Sequence, residues 1–597
     1  MTMQHFRLIA RWLGGFEVCR FLVMMMVLAM ACRLAVVDGM PSMRYRDILN
    51  SHSQQTEPIT LFHDEPDSWK DVEELYITQK LDHFDPSNKA TYQQRYFTTS
   101  RYQIDQRDAT RRIHFLCVGG EGPALDKSVL VDSVHCSGDM LELAKILSMR
   151  NISVSVYALE HRYYGKSYPA FHGNTSTDDD SPVTTAHLKY LSSRQALEDL
   201  AHFVRTRTML ESEIEANTTT AETAAAWITF GGSYPGYMAG NARLKYPHLI
   251  YGAVSSSVPL DLKVDFPEYK QRQGWDLRYA KVGGSDTCWN IVKQGHEQAK
   301  TVDPQTLGTM FHVCHPETAL INRQNLNLLL GDGLIDIPAQ GNDPSCNETL
   351  CNIAKLCEFM VTTRQASHNV TDLEILASVA RIQQNRTSRD DDDYDSDGDG
   401  GDDDCIQVDW NQTLAILSNP NNTWWRSWLW QTCTEVGFYQ TCDETCPFTS
   451  FYHLVDMDLE ICRVAFNITD VYDNVQASKD FYGGLDIGAG GSRVLSINGN
   501  VDPWSVLGIQ ISPKYSMPVR MVDGASHHFW THPLRATDAP EIAEIRKYIY
   551  SVVMEWLGVE DSSNNVMVMH PGKKHSVAFL RAGEKGNSAA VTDIVTD

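Results

Sequence analysis

A serine in a glycine-rich turn is the first residue of this chain whose setting suggests chemistry. Ser233 lies in residues 229–236, TFGGSYPG, where an apolar run ends in a tight turn before a helix-like segment at 237–246. Such a turn is typical of a nucleophile elbow, which exposes the serine hydroxyl and aims the next amide, that of Tyr234, at a developing oxyanion. Taken alone, a Gly-Gly-Ser turn is more often an ordinary strand-to-helix connection.

Partners for this serine occur late in the chain. Asp502 follows the apolar run 493–497, and His527 and His528 follow the run 517–522. A histidine would take the serine proton and an aspartate would orient the histidine ring. Each has a structural alternative, since Asp-Pro often opens a turn and a lone histidine is often a surface or core residue. Their order, Ser then Asp then His, each after a predicted strand, favours a catalytic triad.

The elements that must position these residues alternate between strands and helices, which predicts an α/β fold with a mostly parallel sheet. A last helix is expected from Asp538, as its N-cap, to Leu557. Predicted strands lie at 74–78, 94–97, 113–118, 152–159, 224–230, 249–254, 493–497 and 517–522, and predicted helices at 139–149 and 192–208. Between about 264 and 466 helical patterns at 307–311, 353–361 and 373–383 interrupt this rhythm and indicate an inserted cap.

The amino terminus resembles a secretory signal. The chain has 597 residues, more than the roughly 300 that one hydrophobic core supports. Residues 21–32 are apolar and follow Arg7, Arg11 and Arg20. This run is shorter than the roughly 18 residues of a membrane span, although an uncleaved signal anchor is an alternative.

Glycosylation motifs and cysteines agree with export. Twelve of the 14 cysteines lie beyond the signal, an even number that suits disulfides in an oxidising compartment. The groups Cys346, Cys351, Cys357 and Cys433, Cys442, Cys446, Cys462 indicate local disulfides, and their spacing differs from that of zinc sites. The Asn-x-Ser/Thr acceptors are Asn151, Asn174, Asn217, Asn347, Asn369, Asn385, Asn411, Asn421 and Asn467.

The net charge of −25 excludes the basic surface that nucleic acids or anionic lipids need. Ten aspartates between 390 and 404 contribute to this charge. Asp393, Asp395 and Asp397 have the spacing of a calcium loop, but the twelfth position is not glutamate and no clear flanking helices follow. A solvated, disordered acidic loop is the better interpretation.

Many motifs together give the chain a family resemblance over residues 76–556. Besides the elbow, these are QKLDHF at 79–84, QRYF at 94–97, GGEGP at 119–123, EHRYYGKS at 160–167, YLSSRQAL at 190–197, KYPH at 245–248, WQTCTE at 430–435, NGNVDPW at 498–504 and SH at 526–527. With them the chain resembles the prolyl carboxypeptidase and dipeptidyl peptidase II family of serine peptidases, which includes the thymus-specific serine peptidase.

The resemblance implies an α/β-hydrolase fold with a mainly helical, disulfide-bonded cap inserted between nucleophile and acid. We expect a signal peptide and flank at 1–37, the first part of the hydrolase domain at 72–263 and the cap at 264–470, with its acidic loop at 389–404. The second part of the hydrolase domain is expected at 471–558 and a disordered tail at 559–597.

The family's catalytic residues correspond to Ser233, Asp502 and His527, with His528 as the alternative base. The Tyr234 and Gly120 amides would bind the oxyanion, unless the Gly119-Gly120 pair is a plain turn. The chain departs from the family at Pro235, where the resembling enzymes usually have a small residue.

The resemblance also implies exopeptidase action, often beside proline, in the extracellular space or a lysosomal or vacuolar lumen. The expected partner is a peptide substrate, with no metal or organic cofactor, no stable membrane insertion and a homodimer left open. Trp504 would line an apolar pocket or be a structural core residue. Glu121 and Glu435 are candidates to bind a substrate amine, and Arg162 and Arg426 to bind a carboxylate, unless all four form structural ion pairs. An esterase on the same fold and a catalytically silent secreted glycoprotein are the alternative functions.

Overall fold

An eight-stranded sheet forms the centre of the computed structural model. The structure describes residues 66–559, apart from 106–108, 172–180, 216–225, 332, 368, 388–404, 421–422, 451 and 488–489. The strands are β1 (Val72–Lys80), β2 (Thr91–Thr99), β3 (Arg111–Val118), β4 (Ile152–Leu159), β5 (Ala226–Gly232), β6 (Ile250–Ser256), β9 (Val494–Gly499) and β10 (Val519–Val522). Their order is β1-β2-β4-β3-β5-β6-β9-β10. The first two pairings in this order are antiparallel, and every pairing from β4 to β10 is parallel.

Buried, continuously apolar strands explain why the sheet lies between helices. All seven residues of β5 are buried, as a parallel strand covered on both faces requires. Successive residues of β3 alternate between the two faces: Phe115 packs in one hydrophobic cluster and Leu116 in the other. This layered, mostly parallel sheet confirms the predicted α/β-hydrolase fold.

Helices cover both faces of the sheet. Those of the hydrolase part are α1 (Glu142–Ser148), α2 (Thr185–Leu188), α3 (Ser193–Glu215), α4 (Ser233–Lys245) and α15 (Pro540–Leu557). Buried residues of α3 and α4 belong to one cluster, and those of α1 and α15 to the cluster on the opposite face. Strand β5 and helix α4 follow each other without a gap, so Ser233 stands at the junction.

The region between β6 and β9 is mainly helical. Its helices are α5 (Glu268–Asp276), α6 (Asp286–Ala299), α7 (Pro304–Met310), α8 (Arg323–Gly331), α9 (Ile353–Ala366), α10 (Asp372–Thr387), α11 (Trp410–Ser418), α12 (Thr423–Gln431), α13 (Val455–Phe466) and α14 (Val471–Tyr482). Two short strands, β7 (Lys263–Asp265) and β8 (Gly437–Tyr439), pair in parallel beside them. We call residues 264–470 the cap, with the domain boundaries kept as predictions.

Disulfides join all twelve cysteines beyond the predicted signal. Their pairs are Cys117–Cys136, Cys288–Cys357, Cys314–Cys405, Cys346–Cys351, Cys433–Cys462 and Cys442–Cys446. The prediction of local disulfides is wrong for Cys357, which pairs with Cys288 at a sequence separation of 69. The reason is that α6 and α9 pack side by side in the cap, which brings two distant cysteines together.

Two predicted helix starts also differ from the structure. The helix after the elbow begins at Ser233 and not near Tyr237. The N-cap of α15 is Ala539 and not Asp538, and no side chain caps this helix. Asp538 instead accepts hydrogen bonds from the Arg535 amide at 3.0 Å and from Arg546 Nη1 at 2.5 Å. The Asp538 carboxylate is therefore bonded to Arg535 and Arg546 and does not cap α15.

Five of the predicted glycan acceptors lie in the described part of the chain with exposed side chains, as a glycan requires: Asn151, Asn347, Asn369, Asn411 and Asn467. Asn385 lies in α10. Asn174, Asn217 and Asn421 lie outside the described residues, as do the predicted signal, the acidic loop with its calcium-like spacing, and the tail. Within the described ranges, no helix has both the length and the apolar character needed to cross a bilayer.

Candidate active site

Ser233 has the strained backbone expected of a nucleophile elbow. Its φ is 61°, a left-handed conformation that residues other than glycine rarely adopt. The glycines before it allow the tight packing: a Cβ on Gly231 would come within 2.5 Å of the Pro235 carbonyl, and one on Gly232 within 2.7 Å of His528 Cγ. Close approach of the histidine loop to the elbow therefore requires glycine at 232.

Asp502 and His527 follow neighbouring parallel strands, β9 and β10, and meet directly. His527 Nδ1 lies 2.8 Å from Asp502 Oδ2, and both side chains are fully buried. The other carboxylate oxygen of Asp502 accepts a hydrogen bond from the Trp504 amide at 3.0 Å. Because the carboxylate accepts the Nδ1 proton, Nε2 of His527 remains as the basic nitrogen, and it makes no hydrogen bond to the described residues.

His528 has different partners from His527. Its ring Nδ1 lies 3.1 Å from Thr531 Oγ1, and its amide donates to Ser257 Oγ at 2.8 Å. Burial lowers the pKa of His528 well below its usual value, and the neighbouring histidines, His527 first among them, act in the same direction. The residue therefore packs as a neutral ring against the elbow and does not contact Asp502.

The proposed oxyanion donors lie on two segments that touch. Gly120 follows β3, and Tyr234 is the second residue of α4. A Cβ on Gly120 would come within 2.3 Å of Pro235 Cγ, so the proline ring packs directly on the glycine loop. Pro235 is the third residue of α4, where its missing N–H has no helical partner to lose. The helix therefore begins normally despite the proline.

The Tyr234 side chain belongs to a buried hydrogen-bonded chain that crosses into the cap. Tyr164 donates to Gln431 Oε1 at 2.6 Å, and Gln431 Nε2 donates to Tyr234 Oη at 2.9 Å. Tyr234 Oη lies 3.2 Å from His161 Nε2, whose Nδ1 lies 2.7 Å from the Arg162 carbonyl. The carbonyl can only accept, so His161 carries its proton on Nδ1 and Tyr234 donates to Nε2.

Burial keeps the ionisable groups of this hydrogen-bonded network, His161 and Tyr234, in their neutral forms. Burial lowers the pKa of His161 to about 4. Burial also raises the pKa of Tyr234 well above its usual value, and the charges of Glu435 and Glu121 add to the effect. These hydrogen bonds therefore fix Tyr234, the residue after Ser233, through neutral groups and not through a cation.

The two acidic candidates for amine binding differ in their surroundings. Glu435 is buried and accepts from the amide and the hydroxyl of Ser193, both at 2.8 Å. Burial raises its pKa to about 7, although these hydrogen bonds oppose the shift. Glu121 directly follows Gly120 and is half-buried. Of the two, Glu121 is the one that neighbours a proposed oxyanion donor in the sequence.

The two basic candidates for carboxylate binding are engaged by the protein. All five N–H donors of Arg162 have partners: Asp199 accepts two, at 2.6 and 2.8 Å, and the carbonyls of Leu81, Tyr190 and Lys80 accept the others. Arg426 is buried and donates to the carbonyls of Val183, Leu417 and Ala465. These contacts favour a structural role for both arginines, as an ion pair with Asp199 for Arg162 and through carbonyl acceptors for Arg426.

Trp504 is buried between the cap and the Asp502–His527 pair. Its ring centroid lies 6.3 Å from that of His527, and aromatic residues of the cap surround its other sides: Phe266, Tyr269 and Phe438. Its indole N–H donates to Gln340 Oε1 at 3.0 Å. Sequence reasoning missed Gln340, because no motif marks it and its contacts with the triad loops span more than 160 residues.

Comparisons with known proteins identify the family to which the chain belongs. The family model described as Serine carboxypeptidase S28 matches residues 79–549. The thymus-specific serine proteases of Mus musculus and Homo sapiens are 30% and 28% identical to the chain, covering 81% and 82% of it and 87% of their own length. The lysosomal Pro-X carboxypeptidase of Mus musculus is 25% identical over 81% of the chain and 89% of its own length. The family match covers most of the chain and includes all three predicted triad residues, and the chain therefore belongs to the serine carboxypeptidase S28 family of serine peptidases.

Proposed function

We propose that this serine peptidase is an exopeptidase that cleaves peptide bonds next to proline through Ser233, His527 and Asp502. The observation that carries the proposal is the buried 2.8 Å contact between His527 Nδ1 and Asp502 Oδ2, in loops after neighbouring strands. The left-handed φ of Ser233 and the close packing of Gly232 on His528 support the same site. Preference for proline is carried over from the relative named Pro-X carboxypeptidase.

The chemistry proposed is acyl transfer to serine and then to water. Ser233 Oγ attacks the carbonyl carbon of the scissile bond while its proton passes to His527 Nε2. The Tyr234 and Gly120 amides donate to the oxyanion that forms. Collapse of this intermediate breaks the C–N bond, and His527 gives the proton to the leaving amine. The acyl group remains as an ester on Ser233.

Water completes the cycle. His527 Nε2 takes a proton from a water molecule, which attacks the ester carbonyl. The second intermediate breaks the bond to Ser233 Oγ, which recovers the proton from His527 as the acid product leaves. Throughout, Asp502 holds the proton on Nδ1 and stabilises the imidazolium. The residues named supply every proton transfer.

The proposed compartment is the lumen of the secretory pathway, a lysosome or vacuole, or the extracellular space. Six disulfides among the described residues are typical of an oxidising compartment. Five exposed glycosylation motifs support the same assignment.

Hydrolysis of a small peptide panel tests the function. Each peptide carries proline as the second residue from one end and is free, acetylated or amidated. We expect the protein to cleave beside proline and to lose activity when one particular terminus is blocked. Loss of activity when the carboxyl terminus is amidated identifies a carboxypeptidase. Loss of activity when the amino terminus is acetylated identifies a dipeptidyl peptidase. The matched control is Ser233→Ala, which is expected to be inactive on every peptide.

Two outcomes would contradict the proposal. Cleavage of internal bonds in peptides blocked at both ends would exclude an exopeptidase. Turnover of simple esters without any peptide cleavage would indicate an esterase on the same fold.

A further inference from the structure

One residue of the cap contacts both loops that carry His527 and Asp502. The Gln340 carbonyl accepts a hydrogen bond from the His527 amide at 3.1 Å. Its side-chain oxygen, Oε1, accepts from Trp504 Nε1 at 3.0 Å and from Tyr269 Oη at 2.8 Å. Gln340 therefore connects the histidine loop, the segment after Asp502 and helix α5.

The contact with Trp504 reaches Asp502 in one further step. The Trp504 amide donates to Asp502 Oδ1 at 3.0 Å, while Asp502 Oδ2 faces His527. A shift of the Trp504 indole would therefore move a donor of the triad carboxylate. Both members of the Asp–His pair are thus attached to the same cap residue, one through its main chain and one through its side chain.

The segment around Gln340 is itself well anchored. Ser526 Oγ donates to the Asn342 carbonyl at 2.9 Å, which adds a second bond between the cap and the histidine loop. Asn342 Oδ1 accepts the Ile353 amide at 2.9 Å, and Asn352 Nδ2 donates to the Asp343 carbonyl at 2.9 Å. These bonds attach the segment to the start of α9, so it can act as a fixed reference for the histidine loop.

We propose that Gln340 is a positioning residue whose side chain, anchored by the main-chain bond to the His527 amide, holds Asp502 through Trp504 in the geometry needed for proton transfer from Ser233. This inference rests on the proposed function, because it concerns the same chemistry at Ser233. The physical basis of the proposal is that the reaction rate falls steeply when the reacting groups are misplaced, by roughly 100-fold for a shift of about 1 Å. Gln340 is proposed to act through its hydrogen bonds to the His527 amide and Trp504, which is a role in positioning and not in direct catalysis.

The direct test is the rate at which a fluorophosphonate probe labels Ser233 in variants of the full chain. Gln340→Met removes the side-chain acceptor at similar volume, and we expect labelling about 10-fold slower than in the wild type. Gln340→Glu keeps an acceptor oxygen and is expected to label within about 3-fold of the wild type. With the best peptide from the panel, Gln340→Met should lower kcat and leave KM within about 2-fold.

A matched control separates positioning from general stability. Gln383 lies in α10, also in the cap, and bonds the amide and the carbonyl of Asp336, both at 2.9 Å. Gln383→Met removes the same chemical group from the cap but none of the hydrogen bonds that Gln340 makes to Trp504, Tyr269 and the His527 amide. We expect it to lower the thermal midpoint and to leave the labelling rate unchanged.

The outcomes distinguish this inference from the proposed function. If the wild type labels and Gln340→Met labels at the same rate, the positioning role is overturned and the function stands. If Gln340→Glu is as slow as Gln340→Met, the acceptor account is overturned. An unlabelled, folded wild type overturns both. Should Gln340→Met not fold, Tyr269→Phe removes one of the two bonds to the same oxygen and is expected to slow labelling about 3-fold, while an unchanged rate overturns the role.

Discussion

The ring of Pro235 packs directly on Gly120. The two residues lie on different segments, the first turn of α4 and the loop after β3, and a Cβ on Gly120 would come within 2.3 Å of Pro235 Cγ and 2.6 Å of Cδ. Pro235 thus has a defined place, beside the glycine loop of the proposed oxyanion site. Position 120 must be glycine as long as position 235 is proline.

This contact predicts an unusual pair of mutational effects. Gly120→Ala should displace the glycine loop and slow fluorophosphonate labelling by about 100-fold, the loss typical of one oxyanion donor. Pro235→Ala alone should label near the wild-type rate. In the double variant the clashing ring atoms are gone, and the new methyl group lies 3.6 Å from Cβ of residue 235, an ordinary contact. We therefore expect the double variant to recover most of the rate, and equal loss in single and double variants would refute the packing account.

Substitution of the two adjacent histidines should have very different effects. His527→Ala removes the base paired with Asp502 and is expected to slow peptide hydrolysis about 10⁴-fold or more. His528→Asn removes a ring that contacts Thr531 and the elbow but not Asp502, so at least about a tenth of the activity should remain. Steady-state kinetics with one proline peptide measures the activity of both variants. A larger loss of activity in His528→Asn than in His527→Ala would identify His528 as the base.

Arg162 is predicted to affect stability and not terminus selection. Burial alone raises the pKa of Asp199, but the charge and hydrogen bonds of Arg162, with a hydrogen bond from His83, hold it below 3.8. Arg162→Met leaves this buried carboxylate without its main partner and should destabilise the fold by about 3–5 kcal/mol. Denaturant unfolding gives the free energy. Unchanged stability with selective loss of peptides that have a free carboxylate would instead assign Arg162 to substrate binding.

Glu435 should make stability depend on pH in a defined direction. Burial raises its pKa from 4.5 to about 7, so its contribution is fully present below pH 4.5 and is lost as pH rises through about 7. Glu435→Gln keeps an acceptor for Ser193 without the charge. Its thermal midpoint should match the wild type near pH 5 and exceed it by about 2 °C near pH 8. If the difference in thermal midpoint between Glu435→Gln and the wild type is the same at both pH values, burial does not raise the pKa of Glu435 as described.

Much of the fold could be predicted because its strands are local patterns. The predicted strand at 152–159 has the same bounds as β4, and Asp502 and His527 each follow a strand as expected. Cys288 pairs with Cys357 and Gln340 bonds His527 because of packing between distant segments, and no local pattern encodes such contacts. The start of α4 at Ser233 was missed because its first residue has a left-handed φ, which helical periodicity does not register.

The covalent labelling site tests the central claim most directly. The folded wild type is treated with a fluorophosphonate, digested and analysed by peptide mass spectrometry, beside Ser233→Ala and His527→Ala. We predict one modified residue, Ser233, in the wild type, none in Ser233→Ala and a trace in His527→Ala. A folded wild type with no label, or with the label on another serine, would contradict the account.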